Sequence, residues 1–223
     1  MKMKFLKTAF AGVVLGVSSF ANAGLITSQM VAADHFIDFS QFTGGWSFGA
    51  GPIEVGGLVG ESVLWSSSTS NSVIGDGGYG LGGNGGWSLQ SGVGLNSNSA
   101  FMTFDFMNGP INEFSIFTNY APINYGDMII EAFGFNGALL ETYNISALAA
   151  ISTPGGSNEG EYRGISRVLN DIYSFRLSNA YVVADNLSFG RAIQSAQSVP
   201  EPSTLAVLGL GLMGLALRRF RKL

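Results

Sequence analysis

Cysteine is absent from the 223 residues and histidine occurs once, at His35. Without thiols, disulfide staples and thiolate catalysis are excluded, so stability has to come from a packed core. A single imidazole makes His35 the sole base open to a Ser-His-Asp arrangement, and it stands in a polar stretch near the start of the folded part. Basic residues are scarce as well. Of eleven, three (Lys2, Lys4, Lys7) precede residue 24 and four follow residue 217, leaving Arg163, Arg167, Arg176 and Arg191 between. All fifteen acidic residues lie in that interval, so residues 24–217 carry a formal charge of −11. Such a body has no basic patch with which to displace counterions, which argues against nucleic acid and other polyanions as partners. Neutral glycans, cations and proteins stay open as partners.

The apolar residues that are present gather first at the two ends. Residues 1–23 have a basic start, an apolar run from Thr8 to Phe20 and Ala21-Asn22-Ala23, with small residues where a signal peptidase reads them. That layout predicts a secretory signal peptide cleaved before Gly24, because the run is short for a spanning helix of about 20 residues. At the other end Pro200-Glu201-Pro202 leads into an apolar stretch at 204–217, closed by Arg218, Arg219, Arg221 and Lys222. The prolines stop a helix from running back into the body, and Ser203 is placed to cap one that starts after them. Fourteen apolar residues at about 1.5 Å rise each make a short transmembrane helix. The basic cluster holds the terminus in the cytoplasm and puts the preceding domain outside, so the expected anchor is the inner membrane.

The segment Val199 to Lys222 resembles the PEP-CTERM sorting domain of Gram-negative bacteria: a Pro-Glu-Pro motif, a short Gly/Leu-rich helix and an Arg-rich end. The resemblance implies recognition by an exosortase, a membrane-embedded transpeptidase-like enzyme, in organisms that make exopolysaccharide. Pro200, Glu201 and Pro202 are then a motif read by another enzyme, not a catalytic site of this chain. Exosortase and signal peptidase are the implied processing partners, and the expected destination is the cell surface or extracellular matrix.

Between the ends, residues 24–198 alternate with period two and carry turn residues every 8 to 12 positions. Ala100, Met102, Phe104 and Phe106 fall on one face, Thr103 and Asp105 on the other. Further strands are predicted over 112–118, 127–135, 138–145, 162–168, 172–177 and 180–189, with opening strands in 36–42 and 57–65. Gly137 and Ser178-Asn179 suit hairpin turns, and 146–151 suits a helical turn. The predicted fold is all-β, an antiparallel β-sandwich or jelly roll. The stretches 131–137, 157–165 and Val183-Ala184-Asp185-Asn186-Leu187-Ser188-Phe189 resemble the jelly-roll domains often found upstream of PEP-CTERM tails, which look distantly like carbohydrate-binding modules. Residues 66–98 differ, with a serine run and ten glycines over 75–94. The backbone entropy of such a run makes it read as a long mobile loop or insertion.

Candidate sites are few. Gly78-Tyr79-Gly80-Leu81-Gly82-Gly83 and Gly209 to Gly214 spell G-x-G-x-x-G, but neither sits in the strand-turn-helix frame that a dinucleotide requires. Asp76 among glycines lacks the regular acid spacing of calcium-binding repeats. Asp185 with Asp38 or Glu54 offers oxygen donors for a structural Ca²⁺, against the plainer reading of solvated carboxylates near turns. Glu131, Glu141, Glu159 and Glu161 pair on paper as glycosidase carboxylates, yet nothing in the sequence selects two of them. Trp46 and Trp87 follow Gly-Gly pairs and read as loop-borne platforms for sugar rings, whereas Trp65 in Val63-Leu64-Trp65 reads as core. The expectation is a non-enzymatic exported surface protein without a cofactor, associated with exopolysaccharide or biofilm. The alternatives are a glycan-binding module and, behind it, a secreted hydrolase.

Overall fold

A computed structural model describes residues 24–30, 32–95, 100–123, 125–179 and 181–192. The signal segment 1–23 and the tail 193–223, with its motif, apolar run and basic cluster, lie outside the described residues. Among the described residues no helix is long and apolar enough to cross a membrane.

In chain order the strands are β1 (Gly24–Ile26), β2 (His35–Ile37), β3 (Ser47–Phe48), β4 (Ile53–Glu54), β5 (Val63–Ser67), β6 (Val73–Ile74), β7 (Gly77–Gly80) and β8 (Gly86–Gln90). They continue as β9 (Val93–Gly94), β10 (Phe101–Phe106), β11 (Glu113–Tyr120), β12 (Ile129–Phe133), β13 (Leu139–Asn144), β14 (Glu161–Ser166), β15 (Ser174–Ser178) and β16 (Val182–Gly190). One sheet runs β1-β14-β11-β16-β9-β6-β3, with β2 also paired to β16, and the other runs β13-β12-β15-β10-β5-β4. Every pairing between these strands is antiparallel. The predicted β-sandwich is therefore the fold.

Alternation decides which side chains meet between the sheets. Met102, Phe104 and Phe106 of β10 are buried, and so are Phe175 and Leu177 of β15 and Ile130 and Ala132 of β12. Phe175 stacks on Phe104 at 4.7 Å and on Phe114 of the opposite sheet at 3.9 Å, which locks the layers together. Burying each such ring contributes about 1.5–3 kcal/mol. The odd-numbered neighbours Thr103 and Asp105 point outward and are half-buried. At the end of β13, Asn144 accepts a bond from Ala147 N at 3.0 Å and starts the short helix α1 (Ile145–Leu148). The carbonyl of Ala149 just beyond it accepts from Nε of Arg163 at 2.9 Å and from Nη2 at 2.6 Å, which is how a 2% exposed arginine is satisfied inside the sandwich.

The glycine-rich stretch departs from its expectation. Residues 66–95 include β6 to β9, and β7 and β8 form an antiparallel hairpin on the outer face of the β11/β16 sheet. Leu81 and Trp87 are buried there with Val183, against Tyr79 and Phe117. Two asparagines supply what the local sequence lacks. Asn84 donates from Nδ2 to Asn119 Oδ1 at 2.7 Å, Tyr120 O at 3.0 Å and Ile151 O at 3.2 Å, and accepts from Thr153 N at 2.7 Å. Asn158 acts as a piece of strand, accepting from Ser88 N and donating to Ser88 O, both at 2.5 Å. The entropy cost of ordering glycines is offset by long-range hydrogen bonds and one buried tryptophan.

Candidate functional site

Trp46 and Trp87 part company in the structure. Trp87 lies on β8 rather than a loop, is 3% exposed and packs 6.0 Å from Phe117, so it offers no ring face to a ligand. Its placement after Gly85-Gly86 resembles a loop position in sequence, but Gly86 already belongs to β8, and Trp87 packs with Leu81 and Val183. Trp46 heads a surface run of rings: Phe48 at 6.1 Å, Tyr79 at 5.1 Å, then Tyr79 to Tyr181 at 6.2 Å and Tyr181 to Tyr125 at 4.4 Å. Phe48, 63% exposed, forms the open end. The Tyr79 hydroxyl is buried without a hydrogen-bond partner, and desolvation pushes its pKa upward. Sequence reasoning missed Tyr79, Tyr125 and Tyr181. Their sequence positions give no common signal, since Tyr79, Tyr125 and Tyr181 come from distant parts of the chain and meet only in the fold.

Gly77 explains where Trp46 rests. A Cβ at residue 77 would fall within the indole ring itself, so only glycine lets the ring lie on the β7 backbone. Gly77→Ala is therefore expected to displace Trp46, seen as a red shift in tryptophan fluorescence while Trp65 and Trp87 stay buried. The accompanying loss of stability is about 1–2 kcal/mol. An unchanged emission maximum would contradict this packing.

Asp38 and Asp185 are close enough for the charge of Asp38 to raise the pKa of Asp185. Asp185 is 5% exposed, accepts from Gln90 Nε2 at 2.8 Å and from Asn186 N at 2.7 Å, and is pushed up to about 6, chiefly by burial. Asp38 is exposed, and its bonds from Ser40 hold it below its ordinary value. Glu54, the other sequence candidate, turns away to its own hairpin, accepting from Gly56 N and Val63 N at 2.9 Å each and from Ser62 Oγ at 2.8 Å. Among the described residues no three acidic or imidazole groups converge into a metal site. The pair Asp38 and Asp185 amounts to a buried acid with a charged neighbour.

The remaining titratable candidates are spoken for. His35 stacks on Phe189 at 5.1 Å and meets Glu61 at 3.2 Å, while Arg191 grips the same carboxylate at 2.9 and 3.0 Å. That arrangement ties β2 and the end of β16 to the Glu61 loop. Glu141 pairs with Arg167, Glu161 with Arg163, and Glu131 faces Arg176 at 3.7 Å, while Glu159 is exposed.

Comparison with known proteins bears on the tail first. Residues 198–222 match the PEP-CTERM protein-sorting motif. The chain thus carries the sorting signal of exosortase substrates, which marks an exported protein that is membrane-anchored and then processed. No curated protein matches the chain. Solved structures similar in part include the CBM6 module of Clostridium stercorarium in complex with cellobiose, at 18% identity over 57% of this chain and 87% of that one, TM-score 0.33. Another is the tandem CBM51 modules of a family 98 glycoside hydrolase from Streptococcus pneumoniae, at 13% identity over 74% of this chain, TM-score 0.35. The chain spans about half of that second structure, 52%. The architecture rests on the sheets described above and not on these likenesses.

Proposed function

We propose that the chain is a non-catalytic exported protein of the cell surface or exopolysaccharide matrix, whose sandwich is delivered by its sorting tail. The observation that carries this reading is the PEP-CTERM motif at 198–222, following a body that ends at Arg191. The engagement of His35, Glu141 and Glu161 in structural ion pairs supports the absence of catalysis, since a catalytic base or acid has to face its substrate. Signal peptidase and exosortase are its processing enzymes in this reading, and the inner membrane its transient anchor. Mass spectrometry of the protein recovered from the cell surface tests it. A species starting at Gly24 and ending upstream of Arg218 is expected, and a chain intact through Leu223 would overturn it.

A second reading, glycan binding, is favoured by the run Phe48–Trp46–Tyr79, where one ring is open to solvent and the next is seated on glycine. Aromatic faces of this kind stack on the C–H faces of sugars. Phe48→Ala and Trp46→Ala are expected to weaken retention on polysaccharide several-fold, and unchanged retention in both would remove this site. Trp87 belongs to the hairpin's own packing and has no part in the test.

A further inference from the structure

The two outer faces of the sandwich are unlike. On the β11/β16 sheet the hairpin buries Leu81, Trp87 and Val183. On the other sheet Phe101, Thr103 and Asp105 of β10, Ser174 and Arg176 of β15, and Ile129, Glu131 and Phe133 of β12 are all half-buried.

Register places Arg176 at the middle of that second face. It lies directly between Thr103 on β10 and Glu131 on β12, while Phe101 and Phe133 occupy opposite diagonal positions one row away. The guanidinium carbon sits 4.0 Å from the centre of the Phe101 ring and 4.7 Å from that of Phe133. Contact with two rings restricts the fork, so it is oriented at little entropic cost. Its hydrogen-bonding capacity is under-used: Nε has no acceptor, and the Glu131 carboxylate is at 3.7 Å, beyond hydrogen-bond distance. Asp105 lies one row from Arg176, where burial raises its pKa and the arginine pulls it back.

We propose that this face binds a neutral polysaccharide, with Arg176 and its flanking carboxylates reading pairs of adjacent hydroxyls and the Phe101 and Phe133 rings bearing the sugar faces. Each group has one task. The fork donates to hydroxyl oxygens, Glu131 and Asp105 accept hydroxyl protons, and the phenyl rings cover C–H surface. Two carboxylates around one arginine, on a body of charge −11, repel an acidic polymer. The site deepens the glycan reading above but uses none of its residues.

The test is native affinity electrophoresis of the full chain in mild detergent, with mannan, a soluble β-glucan or alginate cast in the gel. Retardation by at least one of the two neutral polymers and none by alginate is expected. Arg176→Lys, which keeps the charge but loses the planar fork, and Phe101→Ala should each weaken that retardation at least tenfold. Leu58→Ala, at an exposed residue outside both aromatic groups, should change it less than twofold. Glu131→Gln, which leaves the shape intact, serves as the second probe if either variant melts early. The inference is overturned by retardation that survives Arg176→Lys, Phe101→Ala and Glu131→Gln, by preference for alginate, or by no retardation in any gel. Loss in Phe48→Ala alone would keep glycan binding and reject this face. A self-association abolished by Arg176→Lys would instead identify the occupant as a second copy of the chain, and would also reject it.

Discussion

Asn84→Ala is expected to cost about 3–5 kcal/mol and to release the β7–β8 hairpin from the body. The side chain supplies donors to three acceptors in a buried region and an acceptor to the half-buried Thr153 N. Truncation strands the Thr153 amide and the carbonyls of Tyr120 and Ile151, and each buried group left unpaired costs about 1–3 kcal/mol. Asn119 suffers indirectly. Its Nδ2 donates to Asn84 O at 3.4 Å, to Thr153 Oγ1 at 3.0 Å and to Glu159 O at 2.6 Å, so both loops lose their common reference. Urea unfolding should show a lower midpoint, and amide exchange should accelerate at Leu81, Gly86 and Ser88 ahead of the sandwich core. A loss below about 1 kcal/mol would mean that Trp87 packing, not the asparagine network, holds the hairpin.

Asp185→Asn should stabilise the body at pH 8 and leave it unchanged at pH 4. The acid's pKa rises from an ordinary 3.8 to about 6 in the folded chain, with burial as the main cause and the Asp38 charge adding to it. A carboxyl whose folded value is raised contributes stability that is complete below pH 3.8 and is lost as pH climbs through 6. The rise corresponds to about 2–3 kcal/mol favouring the protonated form. Asp38, Tyr162, Gln90 and the Asn186 amide face the carboxyl, and the two hydrogen bonds already temper the effect. Asp38 and Glu61 are shifted the other way and lose their contribution in acid, so the informative quantity is the difference between variant and wild type across pH 4 to 8. Parallel stability curves would show that Asp185 is ionised at no cost.

How much of this is written locally in the chain varies from strand to strand. The Ala100-Phe106 run alternates apolar and polar residues, and β10 obeys it residue by residue because one of its faces meets the core. Predicted strands at 112–118, 127–135, 138–145 and 180–189 overlap β11, β12, β13 and β16, with ends that move by one or two residues. The 75–94 stretch reads as a loop because its order comes from partners 35 to 70 positions away, which no local pattern encodes. Tryptophan placement fails in one direction only. A residue following two glycines looks exposed, yet Trp87 falls on β8 and is buried, while Trp46 is half out. The Arg176 cluster is invisible for another reason: its members come from β10, β12 and β15, spread over 76 positions from 101 to 176, and only sheet register brings them into one patch.

Arg191 follows β16 by one residue, with its guanidinium seized twice by Glu61 and its backbone amide bound to Asp34 at 2.9 Å. Eight residues then separate it from Pro200. A cut anywhere beyond residue 192 would leave every described strand whole, with that clasp still closing the end of the body.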